Sequence, residues 1–332
     1  MRHCIWLLFI LLAFAARAQY VPDVLGDGYA RRTFRMADDK EGKVVCTLVR
    51  KTRADSVRQA VLYLHGYNDY FFQKELGDSL NAYGYNFYAL DLRKYGRSMR
   101  PHQDPFFCEN LSEYFADVDT ALATIRAEGN ERVFLMAHST GGLIASYYLG
   151  QPGKGAAVNG LILNSPFLDW NLGWWLEEIA IPVVAWLGRW WPDLTVQGTD
   201  RPNYAYSLLR GRHGEWTFET AWKMPFGHPK KAGWIRAIHE AQKFVQRGLN
   251  LGCPILLLSS DHSFPDRKGW DKAYKSADIV LDVDDIRRYG ETLGQRVTYR
   301  AIPNGMHDLI LSTRPARDSA YRAIADWLKQ QE

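Results

Sequence analysis

The sequence predicts an α/β protein: a mostly parallel central sheet with helices on both faces and a helical, tryptophan-rich cap inserted late in the chain. Three observations lead there. Seven short apolar runs, rich in β-branched residues, alternate with helix-like stretches, which is the pattern of parallel strands covered on both faces. The alternation breaks once, between about residues 166 and 250, and that stretch holds nine of the twelve tryptophans: Trp170, Trp174, Trp175, Trp186, Trp190, Trp191, Trp216, Trp222 and Trp234. The length, 332 residues, suits one large domain carrying an insertion.

The chain opens with a basic start at residues 1–3, an uncharged apolar run at 5–16, and then Ala16-Arg17-Ala18. Small residues flanking position 17 are what a signal peptidase accepts, so residues 1–18 are expected to be an export signal cut before Gln19. The apolar run is shorter than the roughly 20 residues a membrane span needs. The mature protein is therefore expected to be periplasmic or secreted. Cys4 precedes the apolar run and so is not placed as a lipoprotein acceptor. Strands are expected at 44–49, 60–64, 85–90, 133–136 and 161–163, with helices at 72–82, 111–128 and 140–149. After the break come a strand at 255–258, a helix at 284–293, a strand at 297–302 and a helix at 315–330. The domain reading follows: core 19–165 and 251–332, cap 166–250. An insertion at that point covers the C-terminal edge of the sheet, where open α/β folds place their ligands. Roughly half of its tryptophans are expected in the cap's own small core, the rest as apolar surface toward the site below.

Composition excludes several classes. The chain is 47% hydrophobic and 23% charged, with a dispersed net charge of +4 and no Lys/Arg block, so nucleic acid is not an expected partner. Cleavage would leave Cys46, Cys108 and Cys253, enough for at most one disulfide. No pair has CxxC spacing, and no zinc or other metal site is expected. The sequence leaves the oligomeric state open.

The chemistry-bearing stretch is Arg132-Val-Phe-Leu-Met-Ala-His-Ser-Thr-Gly-Gly142. A buried strand ends at small residues around Ser139 and a helix follows, the arrangement of a nucleophile elbow. The turn is tight, so the residues two before and two after the serine must be small; they are Ala137 and Gly141. Glycine is usual at the first place, and Ala137 adds a single methyl. A serine hydroxyl needs a base to take its proton, and the base needs a carboxylate to hold its tautomer. His307, in the loop 303–308 after the last strand, is the expected base. Two acids follow the strand 255–258, Asp261 and Asp278. Asp278 lies 29 residues before His307 (307 − 278), room for one helix and one strand, and is preferred; Asp261, 46 residues before it (307 − 261), is the alternative. Residues 262–277 then look like an insertion in the acid loop. An oxyanion needs preorganised N–H donors. The backbone amides of Thr140 and of Tyr67, after the strand 60–64, are expected to supply them, with His65 a packing and hydrogen-bonding residue.

These pieces resemble the α/β-hydrolases of the monoglyceride lipase and lysophospholipase group, also grouped as serine aminopeptidase-like. The likeness rests on His65-Gly66-Tyr67, on Asp91-Leu-Arg-Lys-Tyr-Gly-Arg-Ser98, on the elbow at 137–142 and on Gly305-Met306-His307. The second piece is similar to that group's structural Asp-x-x-Gly-x-Gly-x-Ser motif, with Lys94 where the first glycine stands. The resemblance spans about 40–330 and is weakest through the cap. In related enzymes the acid precedes small apolar residues and then a helix, which Asp278 does and Asp261 does not. The resemblance implies hydrolysis of a small, lipid-like carboxylic ester of monoacylglycerol or lysophospholipid type through an acyl-enzyme, without cofactor or metal. A cap this aromatic also allows transient contact with a membrane surface. Two other functions stand beside this one. A peptidase on the same scaffold would need an anionic pocket for a substrate amine, for which Glu177 and Glu178 offer themselves. A non-catalytic binding protein is disfavoured by the presence of serine, acid, histidine and oxyanion loop together.

Overall fold

The computed structural model describes residues 19–53 and 56–332; the expected export signal at 1–18 lies outside the described residues. In chain order the elements are β1 (Val21–Pro22), β2 (Ala30–Arg35), β3 (Val45–Lys51), β4 (Gln59–Leu64), α1 (Lys74–Ala82), β5 (Asn86–Asp91), α2 (Phe115–Ala127), β6 (Arg132–His138), α3 (Thr140–Leu149) and β7 (Gly160–Asn164). The inserted stretch gives α4 (Ile181–Gly188), β8 (Thr195–Gln197), α5 (Asn203–Leu208), β9 (Lys230–Lys231) and α6 (Ala232–Val245). The chain closes with β10 (Ile255–Ser260), α7 (Val283–Gly290), β11 (Val297–Ile302) and α8 (Arg314–Gln330). Nine strands form one sheet in the order β1-β2-β3-β5-β4-β6-β7-β10-β11. Its members from β5 to β11 pair in parallel. β1, β2 and β3 add an antiparallel edge.

The continuous apolar runs become strands because each buries both faces. Alternate side chains go to opposite sides of a strand. Leu62, Leu135, Leu161 and Leu257 enter one core cluster, and Val61, Phe134, Ile162 and Leu256 enter the other. α2, α3 and α6 supply the cover of the first face, through residues such as Val118, Leu143 and Ile238; α1 and α8 cover the second through Leu80 and Ile324. Burying each large apolar side chain stabilises by about 2 kcal/mol, so these two layers hold the sheet in place beneath the loops at its C-terminal edge.

The stretch 166–250 is not uniform. α6 lies inside it, yet Trp234, Ile235, Ile238, Ala241 and Val245 belong to the main core. The rest is only partly helical: a single π-type turn (Leu176–Ala180) runs into α4, and β8 and β9 form a small antiparallel pair. Its tryptophans divide three ways. Trp170 and Trp234 line the cavity described below, Trp216 and Trp222 pack on the small cluster around Leu208 and Phe218, and the other five face solvent. No helix among the described residues is long and apolar enough to cross a membrane. Cys46, Cys108 and Cys253 are free and buried, so no disulfide forms among them.

The motif after β5 shows how charge substitutes for glycine. Lys94 has φ +64°, a left-handed conformation that costs an L-residue roughly 1–2 kcal/mol. Its ammonium is buried and paired with Asp39 at 2.8 Å and with Glu41, which offsets that cost. Gly96 has no such freedom: a Cβ there would lie 2.6 Å from Asp91 Oδ2. Asp91 Oδ2 accepts from the Arg97 backbone N–H and from Nη1, both at 2.9 Å, while Arg97 Nε and Nη2 donate to Asp23 at 2.7 Å. This buried Asp-Arg-Asp chain ties the N-terminal segment to the end of β5. Asp23 is held below the ordinary carboxylate range, because Arg97's bonds outweigh the burial that opposes its charge.

Candidate active site

Ser139 stands between β6 and α3 with φ +52° and ψ −121°, a conformation rare outside glycine and costing of order 1–3 kcal/mol. The neighbours over-determine it. A Cβ at Gly141 would lie 2.4 Å from the His65 carbonyl oxygen, and one at Gly142 would lie 2.6 Å from Pro166 Cβ. Only glycine lets the helix start this close to the loop after β4. Ser139 N–H donates to the Asn164 carbonyl at the end of β7, which fixes the turn from the other side. Ala137 sits in the strand just before the turn, buried in the main core, where a methyl is accommodated.

His307 and Asp278 meet this serine. His307 Nε2 lies 2.9 Å from Ser139 Oγ, and its Nδ1 lies 2.9 Å from Asp278 Oδ2. All three side chains are buried. Asp278 Oδ1 is held by the backbone N–H groups of Val280 (2.8 Å) and Leu281 (2.9 Å). The acid loop closes on itself: Phe264 N–H donates to the Asp278 carbonyl at 2.8 Å and Asp278 N–H to that of His262 at 3.1 Å. That closure returns Asp278 to the end of β10 although residues 262–277 intervene. Asp261 stands apart. Its side chain is 38% exposed and accepts the Asn304 N–H at 3.0 Å, so it braces the histidine loop from outside.

The loop after β4 crosses directly over the elbow: a Cβ at Gly66 would lie 3.1 Å from Ser139 Cβ. The Tyr67 and Thr140 amides meet no acceptor among the described residues and flank the serine. His65 is buried and neutral, its Nδ1 donating to the Gly66 carbonyl (2.8 Å) and its Nε2 accepting from Leu92 N–H (3.2 Å), which sets the loop's path. Above Ser139 opens a cavity of about 690 Å³. Its apolar lining includes Phe167, Trp170, Ile181, Trp234, Ile235 and Leu281. The polar lining includes two ion pairs, Lys223 with Asp69 at 2.8 Å and Lys230 with Asp200 at 2.6 Å. The lining's third carboxylate, Asp266, accepts from Asn203. Glu177 and Glu178 do not line the cavity; Glu177 instead accepts the Leu172 N–H at 2.6 Å.

The family described as serine aminopeptidase, S33, matches residues 55–313. The chain belongs to that family. No curated protein sequence matches it. Among solved structures it is similar in fold to a soluble variant of monoglyceride lipase from Saccharomyces cerevisiae, with 15% identity and a TM-score of 0.65 over 91% of this chain and 97% of that one. It is also similar to a monoacylglycerol lipase from Paleococcus ferrophilus, with 17% identity and a TM-score of 0.59 over 91% and 99%. A thermostable carboxyl esterase from Bacillus coagulans, at 15% identity, has a TM-score of 0.62 over 90% and 98%. The α/β-hydrolase fold expected from the elbow and strand pattern is therefore the fold of this S33 member.

Beside the histidine, this S33 chain has a buried polar pocket that sequence reasoning missed. Asp69, His138 and Asp308 bring one ligand-type atom each within 4.8 Å of one another. The Lys223 ammonium on Asp69 supplies positive charge there. Burial pushes the Asp308 carboxyl up. Burial, and then the neighbouring His307, push His138 down to about 3, so it is neutral at neutral pH, and its Nδ1 donates to the Asn164 carbonyl at 3.0 Å. In the unfolded chain histidine titrates near 6.5. Protonation thus favours the unfolded state: the contribution of neutral His138 is complete above about pH 6.5 and is lost as pH falls toward 3. Unfolding free energy measured in denaturant should drop between pH 6 and 4 with a component of roughly 1 kcal/mol per pH unit from this group. His138→Gln should lower the proton uptake on unfolding by about one; an unchanged uptake would show that His138 titrates normally.

Proposed function

We propose that the protein is a serine carboxylic-ester hydrolase acting on lipid-like esters, of monoacylglycerol or lysophospholipid type. The observation that carries this is the 2.9 Å chain from Ser139 Oγ through His307 to Asp278, with Ser139 and His307 lining a cavity that also has a large apolar lining. Ser139 Oγ attacks the ester carbonyl as His307 Nε2 takes its proton. Asp278 holds the imidazolium that forms. The Tyr67 and Thr140 amides receive the developing oxyanion. His307 returns the proton to the leaving alcohol, and a water activated by the same imidazole releases the acyl group from Ser139. The apolar lining suits an acyl chain. Ester chemistry is favoured over aminopeptidase chemistry because two of the three carboxylates lining the cavity, Asp69 and Asp200, are already ion-paired to lysines, and the third, Asp266, accepts from Asn203. Comparing fluorogenic acyl esters with aminoacyl amides tests this: ester turnover should dominate, and preferential amide cleavage would reverse the assignment.

The proposal includes export and transient contact with a lipid surface. Trp174, Trp175, Trp186, Trp190 and Trp191 are 59–71% exposed, and Leu176, Ile179 and Val183 join them on the same segment. Tryptophan favours the membrane–water interface. Leu172 and Val280 are both exposed and part of the cavity wall, so this apolar surface runs into the cavity. Replacing Trp174, Trp175 and Trp186 together with serine should weaken binding to phosphatidylcholine vesicles about a hundredfold. Hydrolysis of soluble p-nitrophenyl butyrate should stay within about twofold, since none of the three lines the cavity. Unaltered vesicle binding would remove the lipid-surface role and leave the esterase reading intact.

A further inference from the structure

We infer that Tyr204 is a positioning residue for His307, held in place by the acid-loop insertion 262–277; this rests on the triad reading above. Tyr204 belongs to α5, in the inserted segment, yet it reaches the histidine loop. Its ring meets the His307 imidazole edge-on, with centroids 5.6 Å apart, and its hydroxyl accepts the Asp308 N–H at 3.1 Å. One side chain therefore touches both the imidazole and the peptide that follows it. Asp278 fixes the ring from its Nδ1 edge; Tyr204 fixes it from a different side.

A helix of six residues has no stability of its own. The insertion supplies what holds α5. Asn203 Nδ2 donates to Asp266 Oδ1 at 2.6 Å and to the Arg267 carbonyl at 2.8 Å. Trp270 Nε1 donates to Ser207 Oγ at 2.9 Å, and the Trp270 ring stacks on His213 with centroids 3.7 Å apart. Tyr274 is buried against the Trp270 edge and its hydroxyl accepts the Arg267 N–H at 2.9 Å, which keeps the insertion rigid. These contacts grip α5 from the loop, while Tyr204 projects from the same helix onto His307. The loop that returns Asp278 to the end of β10 thus also seats Tyr204. Acid and buttress are one covalent unit, and the length of the acid loop has a mechanical use.

The test uses the full-length mature enzyme with a soluble ester. Tyr204→Phe removes the acceptor of the Asp308 N–H and keeps the ring; kcat should fall about tenfold while KM stays within about twofold. Trp270→Ala touches neither the cavity nor the triad, and it should lower kcat severalfold with KM unchanged. In both variants the downfield proton resonance of the His307–Asp278 hydrogen bond should shift or broaden, which a general loss of stability below the melting transition does not produce. Tyr204 also lines the cavity, so a change confined to KM would mean that it only contacts substrate and would overturn the inference. Wild-type kcat with an unshifted resonance in both variants would overturn it as well. Ser139→Ala separates the two levels. A dead Ser139→Ala beside a normal Tyr204→Phe sinks the positioning role alone, whereas an active Ser139→Ala sinks the triad reading and this inference with it.

Discussion

Ser139→Ala is expected to lower kcat for a carboxylic ester by about six decades, the scale on which removing the nucleophile of such a triad acts. The size follows from what remains. Without Oγ there is no acyl-enzyme, and His307 has no hydroxyl 2.9 Å away to deprotonate. The Tyr67 and Thr140 amides would still polarise a bound carbonyl, so about three to four decades over the uncatalysed reaction should persist. The fold should tolerate the change, since alanine is smaller than serine and Ser139 makes no side-chain hydrogen bond other than that to His307 among the described residues. A melting temperature near wild type, measured beside the kinetics, separates lost chemistry from lost structure.

Asp278→Asn should cost three to four decades in kcat, whereas Asp261→Asn should stay within about twofold. The contrast comes from burial and partners. Asp278 is fully buried, receives two backbone N–H bonds on one oxygen and holds His307 Nδ1 on the other. An amide there loses the charge that stabilises the imidazolium and can turn an N–H toward Nδ1, which favours the wrong tautomer. Asp261 is partly exposed and braces one turn of the histidine loop. Parallel kcat measurements on the two variants check this; equal effects would mean that the carboxylate bonded to His307 is not the one that matters.

The sheet and the elbow were legible in the sequence because their physics is local. Strands buried on both faces read as unbroken apolar runs, and a tight turn admits only small residues at 137 and 141. The expected helices 72–82, 140–149 and 315–330 fall on α1, α3 and α8 within two residues. β2 was missed because four of its six residues are charged or hydroxylic, and as a half-exposed near-edge strand it buries little. α6 was missed for a different reason: it lies in a stretch set aside as cap. Its signal was present, since Trp234, Ile235, Ile238, Ala241 and Val245 recur at helical spacing. The preference for Asp278 over Asp261 came from spacing and from resemblance, but the loop closure between His262, Phe264 and Asp278 that returns it to the strand end is a tertiary fact with no sequence period. The same holds for Tyr204, 103 residues before His307 (307 − 204) and unrelated to it by any motif. The tryptophans signalled an apolar cap, yet five of the nine lie on the outside, because composition says how much apolar surface exists and not which way it faces.

The most direct measurement is labelling of the intact protein with a fluorophosphonate, followed by peptide mapping. A serine activated by His307 and facing two free amides should take the phosphonyl group at Ser139 alone, at neutral pH, and His307→Ala should abolish the label. Modification at another residue, or an unlabelled Ser139 in a folded protein, would contradict the proposed chemistry.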